Sequence, residues 1–277
     1  MAKTWLITGC STGFGRVLAE TVLASGDNVV ITARNVRAVG DLASRYPKAA
    51  CATTLDVTRV GDAAAAVSRA EIVFGGLDIL VNNAGFGLVG AIEESEPTEY
   101  RPLFETNVFG LIETTRAALP SLRKRGGGRI VNFSSVGGIT GRQGFGLYNA
   151  SKFAVEGLSE ALAEEVAPFG IAVIIVEPGS FRTDFLGRSI AAARQKIAAY
   201  DETSGRSRDF SRSNDGSQPG DPKRGMQVLL DAIDSPTPPL RLPLGRDAFS
   251  RIEGKLARLQ KEMDYWMAKA AATRFDD

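Results

Sequence analysis

The chain has 277 residues, 44% hydrophobic and 23% charged, which is enough to bury a core in one large α/β domain or two small ones. Its 33 basic and 32 acidic residues leave a formal charge of +1 with no basic block, arguing against nucleic acid or an anionic membrane as partner. Histidine is absent, which removes Ser-His-Asp and Cys-His nucleophiles and histidine metal sites, and Cys10 and Cys51 alone offer too few thiols for a zinc site or a disulfide framework. Proton chemistry here must come from Tyr, Lys, Asp, Glu or a bound cofactor, and no metal is expected.

Short β-branched runs alternate with helix-like stretches along the chain, the pattern of repeated βαβ units on a parallel sheet. Strands are expected near 3–9, 28–33, 50–55, 77–82, 128–133, 170–176 and 239–243. Helices are expected near 14–25, 36–46, 60–74, 98–124, 146–167 and 221–233. The strands read as continuous apolar runs, as suits a sheet covered on both faces. Residues 1–245 therefore predict a single doubly wound, Rossmann-like α/β domain of about seven strands in the order 3-2-1-4-5-6-7. Residues 201–222 hold only Phe210 among large apolar residues, so they are expected to form a mobile loop outside the core. The segment at about 186–222 is assigned as a substrate lid. From 246 to 277 a C-terminal extension carries Phe249, Ile252, Leu256, Leu259, Met263 and Trp266 at helical spacing. Its apolar stripe is expected to pack on the domain or a partner subunit. The opening MAKTWLITG runs straight into a strand, without room for a signal peptide, and the longest apolar run, IAVIIV, is too short to span a bilayer. A cytoplasmic location is expected.

The first strand ends in TGCSTGFGR. Gly9, Gly13 and Gly15 between a strand and a helix permit a tight turn, while the helix N-terminus offers free N–H groups to a pyrophosphate. Ser11, Thr12 and Phe14 belong to the same cofactor loop, and Cys10 reads as a packing residue. The second strand ends VVITARN, with Ala33 where an NAD site would carry an acid and Arg34 next to it. Loss of the carboxylate and gain of a guanidinium favour a 2′-phosphate, hence NADP(H), with NAD(H) as the alternative. A solvated arginine at a helix start is the competing reading. Asp56 and Val57, ending the third strand, are placed to meet the adenine, although Asp56 also suits an N-cap.

The GxxxGxG loop is followed by NNAG at 82–85, SS at 134–135, YNASK at 148–152 and PGSFRT at 178–183. In this order and spacing the chain resembles the short-chain dehydrogenase/reductase family over about residues 3–245. TGCSTGFG, TARN and LRLPLGRDAF resemble its 17β-hydroxysteroid dehydrogenase-like and retinol dehydrogenase-like subgroup. The resemblance implies Tyr148 as catalytic acid/base, Lys152 as its partner, Ser135 as the carbonyl-orienting serine and Asn107 as the fourth member. It implies that Asn83, Ala84 and Gly85 line the adenosine ribose. Phe181 and Thr183, after Pro178 and Gly179, would hold the nicotinamide carboxamide and phosphates. It also implies a homodimer or homotetramer built on the helices near 102–124 and 146–167. One departure is Thr12, where NADP-preferring members often carry a basic residue, so NADP preference rests on Arg34.

These residue types suit hydride transfer. A free tyrosine has a pKa near 10, and an ammonium one helical turn away favours its phenolate. Spacing of i, i+4 puts Tyr148 and Lys152 on one helix face. Lys152 can also bond the nicotinamide ribose, and Ser135 can donate to a carbonyl oxygen as charge develops. Phe86, Ile139, Phe145, Phe181 and Phe185 are expected to form an apolar substrate pocket at the carboxyl ends of the strands. Arg142 is the one charge expected nearby, and it reads as solvated. The expected function is an NADP(H)-dependent carbonyl reductase or secondary alcohol dehydrogenase for a hydrophobic substrate. Two alternatives stand beside it: a non-catalytic dinucleotide sensor or scaffold on the same fold, and an NAD-dependent isomerase or dehydratase.

Overall fold

The computed structural model describes residues 2–273 and 275. Four-residue strand β1 (Thr4–Ile7) is fully buried and parallel to both β2 (Asn28–Ala33) and β4 (Ile79–Asn82). Strand β3 (Ala50–Thr54) lies outside β2, while β6 (Gly128–Phe133), β7 (Ile171–Pro178) and β9 (Arg241–Leu244) extend the other side. The result is a seven-stranded, all-parallel sheet in the order β3-β2-β1-β4-β6-β7-β9. Order reverses between β1 and β4, which opens a ligand-binding crevice at the strands' carboxyl ends. The expected seven-strand doubly wound order is the one observed, with β5 (Gly87–Val89) and β8 (Ile190–Ala192) forming a separate two-stranded parallel sheet.

Two apolar layers hold the sheet. One face packs Trp5, Ile7, Ile31, Val81 and Val131 against helices α1 (Gly13–Ala24) and α8 (Pro222–Asp234). The other packs Leu6, Val30, Leu80 and Ile130 against α3 (Asp62–Phe74), α5 (Gly110–Arg125) and α6 (Gly146–Val166). Adjacent residues of each strand serve opposite layers, as the period of two requires, so both faces must be apolar.

Between β2 and β3 lie a 3-10 turn and the short helix α2 (Gly40–Arg45). The long helix expected near 98–124 is divided. Helix α4 (Pro97–Phe104) runs into a π-helical turn, Glu105–Phe109, before α5. Such insertions bulge a helix locally and recur at functional sites.

Two expectations need correction. The polar stretch 201–222 is folded: a π turn at Asp201–Gly205 leads into helix α7 (Arg206–Ser213), with Ser204, Ser207, Arg208, Ser211 and Gln218 buried. Its ordering is electrostatic. Glu94, fully buried, accepts from Arg208 Nη1 at 2.6 Å, Ser204 Oγ at 2.7 Å, Ala91 N at 2.7 Å and Ile197 N at 3.1 Å. A charge this buried persists only when paired and fully hydrogen-bonded, a device that hydrophobicity along the chain does not reveal. The second correction concerns the C-terminal helix α9 (Arg246–Ala270). Ala248 is buried and Ile252 half-buried, but Phe249, Leu256, Leu259, Met263 and Trp266 are exposed, so most of the stripe does not pack on the domain, and of the two expected positions only a partner subunit is left for it. No helix among the described residues is long and apolar enough to cross a membrane.

Candidate active site

A cavity of about 600 Å³ runs across the carboxyl ends of the central strands. At one end it is walled by Gly9, Ser11, Thr12, Gly13 and Phe14 from the β1–α1 loop and by Arg34, Asp56 and Val57 from the next two strand ends. Gly9 and Gly13 have positive φ of 74° and 60°, conformations that side-chain-bearing residues rarely adopt. Gly15 is not a wall residue. It lets the loop close on Asn83, whose amide donates to the carbonyls of Thr8 (2.8 Å) and Gly9 (3.0 Å). Thr12 is the N-cap of α1 but supplies no side-chain acceptor, and the first turn holds no acidic residue. That helix start therefore keeps its uncapped N–H groups and positive end for an anion, and the fold fits a dinucleotide pyrophosphate.

Asp56 faces the same region as Arg34. The neighbouring Thr58 hydroxyl and amide, at 2.7 and 3.1 Å, outweigh its burial and lower its pKa, with Arg34 and Arg59 adding to the effect. Cys10 is buried and bonded to the Ile7 carbonyl, and burial pushes its thiol up to about 12, which makes it inert.

Midway along the cavity stand Ser135, Tyr148 and Lys152, with Ala84, Gly85, Pro178, Gly179, Phe181 and Thr183 around them. Ser135 caps the 3-10 turn Val136–Gly138 that follows β6, its hydroxyl accepting from Gly137 N at 3.0 Å. Tyr148 and Lys152 are buried on one face of α6. Burial pushes the Tyr148 phenol up to about 12, partly offset by the Ser135 hydroxyl and the Arg251 charge. The ammonium of Lys152 donates to the Phe133 carbonyl at 2.8 Å. Burial pulls its pKa down to about 8, against the opposing charge of Glu156 one turn further on. In this arrangement the ammonium is bonded to the end of β6, one helical turn from Tyr148. Arg241 anchors Glu156 to β9 and Glu177, at 2.5 and 2.7 Å, while burial pushes the Glu156 carboxyl up to about 7.

Asn107 sits on the π-helical turn and does not line the cavity; Thr106 does. Its side chain accepts from Phe86 N at 3.0 Å and donates to the Phe86 carbonyl and Ser151 Oγ at 2.9 and 3.1 Å, bracing the loop that follows β4 against α6. At the far end Phe86, Phe145 and Phe185 line the cavity as expected, with the Phe185 ring 5.6 Å from that of Tyr148. Ile139 does not line it. The 3-10 turn ends before Ile139 and presents Val136 and Gly137 instead.

Sequence reasoning missed several wall residues. Phe210 and Gln218 come from the segment assigned as lid. Arg251 comes from α9, whose first turn also supplies Asp247, accepting from Ser180 N at 2.8 Å. Arg142, the charge expected nearby, is exposed as expected and also lies on the wall, with its guanidinium 4.4 Å from the Phe210 ring centroid. No helical period announces such residues, because their partners lie far away in the chain, 111 positions for Thr140 and Arg251. Among the described residues, no group of three or more His, Cys, Asp or Glu side chains is placed to hold a metal.

The glycine loop and crevice fit a dinucleotide, and the cavity brings Ser135, Tyr148 and Lys152 to one wall beside them. The short chain dehydrogenase family profile matches residues 3–193, and the chain belongs to that family. It is 35% identical over 265 residues to oxidoreductase BOA17 of Botryotinia fuckeliana, covering 95% of this chain and 96% of that one. Among solved structures, a short-chain dehydrogenase from Streptomyces avermitilis is 44% identical with a TM-score of 0.93, over 99% of this chain and 100% of that one. The 3-ketoacyl-(acyl-carrier-protein) reductase of Brucella melitensis, solved with NADH, is 29% identical with a TM-score of 0.74, over 87% and 96%.

Proposed function

We propose that the protein is an NADP(H)-dependent carbonyl reductase or secondary alcohol dehydrogenase acting on a hydrophobic ketone or alcohol. The observation that carries this reading is Tyr148, buried beside the Ser135 hydroxyl, on the wall of a cavity that begins at an uncapped helix N-terminus. When bound, a nicotinamide supplies the hydride.

The chain's own residues supply the rest. Tyr148, held as a phenol by burial, donates its proton to the carbonyl oxygen during reduction. Ser135 donates a hydrogen bond to the same oxygen as negative charge develops. Lys152 holds the nicotinamide ribose and lends positive charge one turn from the phenol. Asn107 is a positioning residue, fixing the loop after β4 through Phe86. Phe86, Phe145 and Phe185 hold the apolar part of the substrate, and the 186–222 segment covers it through Phe210 and Gln218. The loop residues Gly9 to Gly15, with Asp56, Val57, Asn83, Ala84 and Gly85, seat the adenosine half, and Phe181 and Thr183 the nicotinamide half. The related Brucella enzyme was solved with NADH; preference for NADP(H) here rests on Arg34 with no acid at Ala33. Exposed Phe109 and Phe153, beside and on α5 and α6, support assembly as a homodimer or homotetramer.

A panel of apolar ketones and secondary alcohols, followed at the nicotinamide absorbance with both cofactors, tests the proposal. Turnover of at least one ketone, faster with NADPH, is expected. Binding of cofactor without turnover of any member would favour a sensor instead.

A further inference from the structure

Two guanidinium groups on the cavity wall, those of Arg142 and Arg251, have no direct ion-pair partner among the described residues. Arg251 reaches in from α9, half-buried, its Nη2 donating to the buried Thr140 hydroxyl at 2.9 Å. Arg142 stands at the mouth, stacked 4.4 Å from the Phe210 ring and 5.7 Å from that of Phe145. Among the described residues neither has an acidic oxygen within salt-bridge distance.

The acids that could have served are committed elsewhere. Asp184 pairs with Arg188, and Asp247 accepts from Ser180 N. Glu94 is taken by Arg208. Arg142 and Arg251 also repel each other: burial, then the charge of Arg142, lowers the pKa of Arg251, with the charges of Asp247 and Tyr148 opposing the shift. Arg142 is exposed at the mouth and Arg251 half-buried, so an anionic ligand between them would meet two like charges, one of them partly desolvated. A second signal comes from the same cavity. Both polar atoms of the Gln218 carboxamide are buried there without a hydrogen-bond partner. Buried polar groups without partners are rare in folded proteins, and this one adjoins the cavity wall.

We propose that the substrate carries an anionic group, a carboxylate or a phosphate, that Arg251 and Arg142 clamp while its apolar body lies against Phe145, Phe185 and Phe210. This rests on the reading above that the far end of the cavity takes the substrate. It narrows that substrate from any apolar ketone or alcohol to an acidic one. Planar guanidinium groups suit bidentate binding of either anion, and stacking on aromatic rings pre-orients Arg142 for it.

Calorimetric binding, independent of turnover, separates this inference from the reading it rests on. The protein saturated with oxidised nicotinamide cofactor is titrated with octanoate, octyl phosphate and octanamide. At least one anion is expected to bind tenfold or more tighter than the neutral amide, and the tighter anion distinguishes carboxylate from phosphate. Arg251→Met and Arg142→Met should each remove most of that preference, whereas Arg251→Lys should keep part of it. Should Arg251→Met not fold, Arg251→Gln and Arg142→Met carry the comparison. Equal binding of anions and amide overturns the proposal. So does an anion preference that survives in the double Arg142→Met/Arg251→Met protein, or a loss of cofactor binding in place of octanoate binding.

Discussion

Lys152 donates its ammonium to the carbonyl of Phe133, 2.8 Å away at the end of β6, instead of to the phenol of Tyr148 one turn earlier. This bond ties α6 to the end of the strand that Ser135 follows. It also holds a lysine in surroundings that disfavour its charge, with a pKa near 8 rather than 10.5. An unfolded chain binds that proton up to the ordinary lysine range, so between about pH 8 and 10.5 the unfolded state holds more protons than the folded one. Stability from this group is therefore fully present above pH 10.5 and is lost as pH falls to 8. Urea unfolding of the cofactor-free protein between pH 8 and 9.5 should show a rising contribution of up to about 1.4 kcal/mol per pH unit. Lys152→Met should flatten that rise relative to wild type. An identical slope in both proteins would show that the lysine is not destabilised by burial.

Arg34 should discriminate between cofactors. A guanidinium bonded to a 2′-phosphate is worth about 1.5–3 kcal/mol, or more than tenfold in affinity. Arg34→Ala is expected to weaken NADPH by tenfold or more and NADH by less than threefold in equilibrium titrations. Equal loss for both would leave the arginine a solvated residue.

The start of α9 is built into the site through Gly179 and Asp247. A Cβ placed on Gly179 would clash with the Asp247 carboxylate. Overpacking of this kind typically costs about 1–3 kcal/mol. Gly179→Ala should raise the KM for cofactor, because Ser180 and Phe181 follow directly. Gly179→Ala combined with Asp247→Ala should recover part of the loss, giving a non-additive double-mutant cycle. Additive effects would mean that the two residues do not meet.

Glu94 is the keystone of the segment that brings Phe210 and Gln218 to the cavity wall. Removing one partner of a buried ion pair typically costs about 3–5 kcal/mol. Glu94→Ala should lower the Tm and open the Arg206–Ser213 region to proteolysis, with the sheet core intact. Protection of that region unchanged from wild type would contradict the role assigned to the pair.

What was legible in the sequence follows the reach of each signal. Strand runs such as IAVIIV report a local pattern, and all seven strands of the main sheet lie where such runs predict them. Ser135, Tyr148, Lys152 and the Gly9–Phe14 loop sit on elements whose ends those patterns define, and the cavity joins them. Asn107 fell on an expected helix, but the π turn that lets its side chain reach Phe86 left no compositional trace. Polar segment 201–222 looked unfoldable because its ordering comes from Glu94, more than 100 residues earlier. Arg251 was hidden for the same reason: an amphipathic pattern describes a helix, not the site that its first turns enter.

The central claim is that Tyr148 moves the proton. Tyr148→Phe removes only the hydroxyl and keeps the ring against Phe185. Steady-state turnover of a ketone substrate, measured together with equilibrium binding of NADPH, is the most direct test. The account predicts that kcat falls by at least 100-fold, the scale of general acid catalysis, while cofactor affinity stays within about threefold of wild type. Turnover at the wild-type rate in Tyr148→Phe would contradict it.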